Sequence, residues 1–296
     1  MKTTLLAALW AVALAFIAIW LRAIRRQRRG GIVPTWLESA IGFGTNFFDT
    51  LGIGSFAPTT ALFRAWRLVP DERIPGTLNV GHSLPTIAQA LIYIVIIQVD
   101  VATLVILIVA ASLGAWLGAG VVTRWPRQKI QIGMGLCLLG ACGLFTATNL
   151  ALLPSGGHAV TLAGSTLAFA AIGNFVLGAL MTLGIGLYAP CLIMLSLLGM
   201  DPKAAFPIMM GSCAFLMPIA SIRFLREGAY DLRPALGLTL AGVPAVLLAA
   251  FVVKSLSLTA IRWLVTVVVL YTAVTMLAAA LRESKLASPA GAPTTE

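Results

Sequence analysis

The sequence predicts an all-α polytopic membrane protein, with about seven transmembrane helices plus two broken re-entrant hairpins in an inverted-topology repeat. Three observations carry that expectation. Of 296 residues, 59% are hydrophobic and only 10% charged, where a soluble domain carries about 25% charged residues. Apolar runs of the length a span requires, roughly 20 residues, recur from end to end. And the string "TLGIGSFAP", Thr50 to Pro58, returns as "TLGIGLYAP", Thr182 to Pro190, with seven of nine residues identical. The runs do not alternate apolar with polar residues, which excludes a transmembrane barrel.

Residues 1–30 read as a first transmembrane helix followed by a basic segment. The apolar run is longer than the core of a signal peptide and no small-residue cleavage site follows it. Instead come Arg22, Arg25, Arg26, Arg28 and Arg29, a stop-transfer cluster. Full-length spans follow near 75–97, 101–122, 130–150, 205–225, 234–253 and 259–281, giving seven with the span at 5–21. Two further apolar stretches, about 36–63 and 163–198, hold the repeated string and are broken in the middle by Gly-x-Gly and Pro.

Charge decides whether those two stretches cross once or return. With single crossings the 20 Lys and Arg divide ten to ten between the two sides; with hairpins, sixteen fall on one side and only Lys2, Lys203, Lys254 and Arg262 on the other. Cytoplasmic loops carry the excess of Lys and Arg, so hairpins are expected, with the N-terminus outside and the C-terminus cytoplasmic. Three spans separate the hairpins, and an odd number makes them enter from opposite sides. The chain then divides into a first repeat at 36–150, a second, inverted repeat at 160–281, and a disordered cytoplasmic tail at 282–296. Pro75 aligns with Pro207 at the offset of the repeated string, and Pro85 with Pro218 after a one-residue slip. Inverted repeats with interrupted helices are a transporter architecture.

Non-helical backbone at membrane depth is tolerated only where protein or a wet cavity surrounds it. Gly52, Gly54, Gly184 and Gly186 are expected to supply positive φ and missing side chains for two tight reversals. Pro58 and Pro190 suit the first turn of the outgoing half-helix. The free N–H groups and positive dipole end of each half-helix would then attract an anion. The bland alternative is that Gly and Pro only permit close helix packing.

Polar residues inside the membrane are costly and point to function. Asn79, His82, Ser83 and Thr86 recur at helical spacing on one face of the span at 75–97, expected to face the hairpin carrying Asp49. Asp49 and His82 form a candidate proton-coupling pair, since histidine titrates near neutrality; a static hydrogen bond is the alternative. Asp49 aligns with Met181 and His82 with Ala214, so that chemistry belongs to one repeat only. Arg64, Arg67 and Arg73, with Asp71 and Glu72, stand at the mouth of the first hairpin and are explained by topology or by anion attraction. "GAWLG", Gly114 to Gly118, reads either as a homodimer seam or as intramolecular packing. Cys137, Cys142, Cys191 and Cys213 have no metal or disulfide spacing and read as small packing residues. No metal or cofactor is expected. The basic residues lie between apolar runs without interleaved aromatics, which argues against nucleic acid as a partner.

With the hairpins placed, the chain resembles the TauE/SafE sulfite-exporter family, also called the toluene-sulfonate uptake permeases. There a Gly-x-Gly-Gly-Gly stretch runs to a proline and a "GTS"-like segment opens the next helix. Here the matching stretches are "LGIGSFAP" and "LGIGLYAP", with "PGTLNVGHS" from Pro75 to Ser83; the resemblance covers roughly residues 36–281. The glycine run is reduced, and Ser55-Phe56 and Leu187-Tyr188 add bulk. The resemblance implies a secondary transporter, permease or exporter, of small anions such as sulfite, sulfonates or related organic acids, not an enzyme, in the inner cell membrane. The expected substrate site combines Thr50, Gly52, Gly54, Ser55, Asn79 and His82 with Thr182, Gly184, Gly186 and Ser212. A passive anion channel is the first alternative; a membrane-embedded enzyme is a weaker one, since no HExxH, carboxylate pair or Ser/His/Asp set is present.

Overall fold

The structure, a computed structural model, describes residues 2–26, 32–52, 54–70, 73–122, scattered positions between 128 and 152, 157–181, 186–255 and 258–287. About half of the expected span at 130–150 lies outside the described residues, as do Thr182, Gly184, Asp71, Glu72 and Cys137. Among the described residues the chain forms ten helices: α1 (Lys2–Arg26), α2 (Trp36–Thr50), α3 (Phe56–Ala65), α4 (Ile74–Ile96), α5 (Val101–Val122), α6 (Gly164–Met181), α7 (Tyr188–Leu197), α8 (Pro202–Glu227), α9 (Leu232–Ser255) and α10 (Leu258–Ala287).

Local chemistry sets the ends of several. Thr35 and Glu38 form a capping box that opens α2, with each side chain meeting the other's backbone N–H. Asp201 caps α8 ahead of Pro202, and Gly228, with φ 64°, ends it in the left-handed conformation. Asp100 takes the backbone N–H of Thr103 at 2.8 Å and so opens α5. Helix α10 continues to Ala287, five residues past the start of the expected disordered tail at 282, because Arg282 to Ala287 contains only residues that a helix accepts.

Each of the two broken apolar stretches forms a pair of helices, α2 with α3 and α6 with α7. Helix α2 starts beside Arg233, whose Nε lies 3.1 Å from Glu38 Oε1, and α3 returns to the same end, where Arg73 pairs with Asp231 at 2.8 Å. Helices α6 and α7 begin and end at the opposite end. There Leu162 N–H donates to Thr103 Oγ1 at 3.2 Å, and Asp201 N–H donates to the Ala159 carbonyl at 2.9 Å. The two hairpins therefore enter from opposite ends, as the charge count requires. Five described helices, α1, α4, α6, α8 and α9, are long and apolar enough to cross a membrane. The inclusion of α6 departs from the expected count: its 18 residues reach about 27 Å at 1.5 Å per residue, close to the hydrocarbon thickness. The second hairpin thus has one nearly full-length limb and one short limb.

Packing between the repeats is reciprocal. Limb α2 of the first hairpin packs on α9 of the second repeat, and limb α6 of the second hairpin packs on α5 of the first. Helices α4 and α8 cross at the centre, and each touches the other repeat's second helix, α9 and α5 respectively. Their most apolar windows are 67% and 78% buried, against 28% for the peripheral α1. Small residues permit the close crossings. A Cβ on Gly178 would collide with the Ala111 carbonyl, one on Gly114 with the Phe175 carbonyl, and one on Gly42 with the backbone of Gly237 and Leu238. Gly114 of "GAWLG" is therefore used for packing within the chain.

One asparagine from each hairpin limb secures these crossings. Asn46 Nδ2 donates to the Leu238 carbonyl at 3.3 Å, and Asn174 Nδ2 donates to the Leu107 carbonyl at 2.7 Å. Counted from the first residues of α9 and α5, Leu238 and Leu107 occupy the same position. A buried amide that satisfies a carbonyl across an interface fixes register as well as adding energy, because leaving either group unpaired in hydrocarbon is costly.

Candidate functional site

The inner ends of the two helix pairs, α2 with α3 and α6 with α7, meet at a small cavity. The first repeat contributes Asp49, Gly54, Ser55, Phe56 and Thr86; the second contributes Met181, Gly186, Leu187, Tyr188, Cys213 and Met217. The lining divides by chemistry. Asp49, Ser55, Thr86, the Tyr188 hydroxyl and the glycine backbones are polar, whereas Met181, Met217, Leu187 and Phe56 are apolar.

The turn of the first hairpin explains the need for glycine. Gly52 and Gly54 hold φ values of 99° and 85°, in the region that side chains with a Cβ rarely adopt. Gly186 departs from the expectation, since it does not lie in that region. Nothing stands within 4 Å of where its Cβ would be, so its contribution is the missing side chain that leaves the cavity wall open. Pro58 and Pro190 stand at the third residue of α3 and α7, inside the first turn where an N–H has no intrahelical acceptor. The positions before those helices, Ser55 and Leu187, make no side-chain cap bond. Both half-helix starts therefore present uncapped first turns beside the cavity.

A hydrogen-bond chain joins the hairpins across this space. Gln89, fully buried on α4, donates from Nε2 to Asp49 Oδ2 at 2.8 Å and to Thr50 Oγ1 at 3.1 Å. Its Oε1 accepts from the Tyr188 hydroxyl at 2.7 Å. Ser55 faces the same Asp49 carboxylate with its hydroxyl and backbone N–H. Thr50 is fixed from both ends: its hydroxyl donates to the Asn46 carbonyl at 2.7 Å, and its own carbonyl accepts from Tyr93 at 3.1 Å. The two hairpins differ at Asp49 against Met181 and at Phe56 against Tyr188. All four residues line the one cavity.

The other expected site residues lie around this centre. Gly52 is buried behind the turn, with Phe206 and Met209 as the nearest side chains to its Cβ direction. His82 is fully buried but off the cavity lining. Its Nδ1 lies 3.0 Å from Asn46 Oδ1 and its Nε2 lies 3.1 Å from Thr59 Oγ1. Asn46 Nδ2 already donates to Gly42 and Leu238 carbonyls, so Oδ1 is the acceptor and His82 Nδ1 carries the proton. No bond joins His82 to Asp49. Asn79 donates to the Pro75 carbonyl in its own helix at 2.8 Å, and Ser83 meets Ser221 of α8 at 3.3 Å, and neither bond reaches the first hairpin. Ser212 is 3.1 Å from Asn174 Nδ2, one shell behind the cavity. No group of three or more His, Cys, Asp or Glu suited to a metal occurs among the described residues.

The expected substrate site did not include Gln89, Thr86, Cys213 or Met217, nor Phe56, Met181, Leu187 and Tyr188, which the comparison of the two repeats marks only as points of difference. Gln89 was findable: it extends the face of His82 and Thr86 by one further step of three. Cys213 reads as a packing residue because no sequence pattern shows that its helix borders a cavity.

A family model, Sulfite exporter TauE/SafE, matches residues 1–145. Comparison with curated proteins finds no match, and comparison with solved structures finds none. The match starts earlier and ends earlier than the resemblance over 36–281, taking in α1 and most of the first repeat. It includes Asp49, Gly54, Ser55, Phe56 and Thr86, while the second repeat's share of the cavity lies outside it. Over residues 1–145, this multi-pass membrane protein is similar to the sulfite exporter TauE/SafE family.

Proposed function

We propose that the protein is a secondary transporter of small anions, sulfite and sulfonates first among them, working by alternating access. The observation that carries this reading is the cavity between two oppositely entering hairpin turns, where each half-helix starts without a side-chain cap. Donors on both half-helix starts would hold oxyanion oxygens, and Ser55, Thr86 and Tyr188 would orient them. The apolar wall of Met181, Met217 and Leu187 would accept a short organic substituent. Domain-swapped packing supports alternation, since one limb of each hairpin, α2 and α6, rests on the opposite repeat and two bodies can rock against each other. We place the protein in the cytoplasmic membrane with its Arg-rich end inside. Arg22, Arg25, Arg64, Arg67, Arg73, Arg223, Arg226 and Arg233 stand on that side.

A flux screen in proteoliposomes tests the reading, using labelled sulfite, methanesulfonate, thiosulfate and acetate. Slow, saturable uptake is expected; large ohmic currents would instead indicate a channel. Replacing Gly52 or Gly184 by leucine is expected to abolish uptake. Survival of uptake in both variants would show that the site lies elsewhere.

A further inference from the structure

We infer that the anion travels with one proton, and that the proton rides on Asp49; the inference rests on the reading of the cavity as the anion site. Asp49 is 2% exposed and borders the cavity directly. No Lys, Arg or His belongs to the lining. The titratable groups around the carboxyl are Tyr188 from α7, Cys213 from α8 and Tyr93 from α4, with Cys191 behind them, and none is a cation. His82, the nearest imidazole on α4, is occupied by Asn46 and Thr59.

A carboxylate in that position conflicts with an anionic ligand in two ways. At about 4 Å and an effective dielectric near 20, the repulsion between two unit charges weakens binding about a thousandfold. The ionised carboxylate also takes up the donors an oxyanion would use, since Gln89 Nε2 bonds it at 2.8 Å and Ser55 faces it. Protonation removes both obstacles: it cancels the charge, turns the carboxyl into a donor and releases Gln89 and Ser55. Anion binding and protonation of Asp49 are then linked, each favouring the other by the same factor. One monoanion and one proton move together, so no net charge crosses.

The repeat supports the stoichiometry. The position equivalent to Asp49 is Met181, which borders the same cavity, so a single carboxyl serves both hairpins. Gln89 is the positioning residue in this arrangement. It bonds Asp49 on one side and Tyr188 on the other, so a change at the carboxyl reaches the second hairpin through one amide.

The test uses the full chain in proteoliposomes with labelled methanesulfonate, which stays a monoanion throughout the pH range, subtracting protein-free vesicles. With the outside acid, the wild type is expected to accumulate methanesulfonate about tenfold per pH unit of gradient at one proton per anion. Asp49→Asn, a permanently neutral mimic, is expected to lose that accumulation and to exchange methanesulfonate at a rate that no longer changes with pH. Asp49→Glu is expected to restore the pH response. Gradient-driven accumulation by Asp49→Asn overturns the inference. So does wild-type methanesulfonate exchange that ignores the gradient, which leaves the anion reading standing. Absence of methanesulfonate movement in the wild type overturns the anion reading and this inference together. If Asp49→Asn is inactive throughout, Asp49→Glu decides: pH-dependent uptake supports the inference, and failure to restore it overturns it.

Discussion

Tyr188→Phe combined with Gln89→Met measures whether the two hairpins are physically joined. The Tyr188 hydroxyl donates to Gln89 Oε1 at 2.7 Å, with the residues 5% and 0% exposed. Phenylalanine fits in this setting, since Phe56 holds the equivalent place in the first hairpin. Removing the hydroxyl leaves the buried Gln89 oxygen without that donor, at a cost of about 1–3 kcal/mol. Thr86 lies beside the hydroxyl and can offer a substitute, which favours the lower end. Gln89→Met costs more, because it also strips a donor from Asp49 and Thr50. In the double variant the tyrosine has already lost its partner, so the two losses overlap. Interhelical hydrogen bonds in membranes average about 0.6 kcal/mol in double-mutant cycles and reach about 1.7. A coupling of about 0.6–1.7 kcal/mol is therefore expected from reversible unfolding in mixed micelles, followed by tryptophan fluorescence. Additivity within about 0.3 kcal/mol would show that Gln89 does not join the hairpins.

Three further outcomes follow from the packing. Gly178→Ala should destabilise by about 1–3 kcal/mol because its Cβ meets the Ala111 carbonyl. Gly44→Ala, with nothing within 4 Å, should stabilise α2 by up to about 1 kcal/mol, and the same unfolding assay separates the two. Arg233→Ala should cost about 1–3 kcal/mol by leaving the fully buried Glu38 carboxylate short of a donor. Arg73→Ala, whose pair with Asp231 is partly exposed, should cost under about 1 kcal/mol; equal costs would contradict this reading. Asp100→Ala should remove about 1 kcal/mol by uncapping α5. Thr103's N–H and hydroxyl hold the Asp100 carboxyl below the usual carboxylate range. Its small contribution is therefore complete above that range and lost as pH falls through the lowered value, readable as faster amide exchange at the start of α5.

The sequence by itself determined the parts of this protein that depend on chain-local physics. Apolar run length gave helices α1, α4, α8 and α9. The distribution of arginines required two returning hairpins, because a span's sidedness follows from which loops carry charge. Pro58 and Pro190 marked the first turns of α3 and α7, and the repeat marked Asp49 and Tyr188 as the points where the halves differ. Only the tertiary structure decided what those differences do. Polar residues spaced along α4 all read alike in one dimension. Yet His82 and Gln89 reach the first hairpin, Asn79 turns back on its own helix, and Ser83 faces α8. Which partner each finds depends on the crossing of α4 with α8 and on the domain-swapped seats of α2 and α6. Those crossings are set by glycines meeting backbone far away in sequence, at Gly178 with Ala111 and Gly42 with Leu238. A cavity is the space such contacts leave unfilled, and no single segment of the chain encodes it.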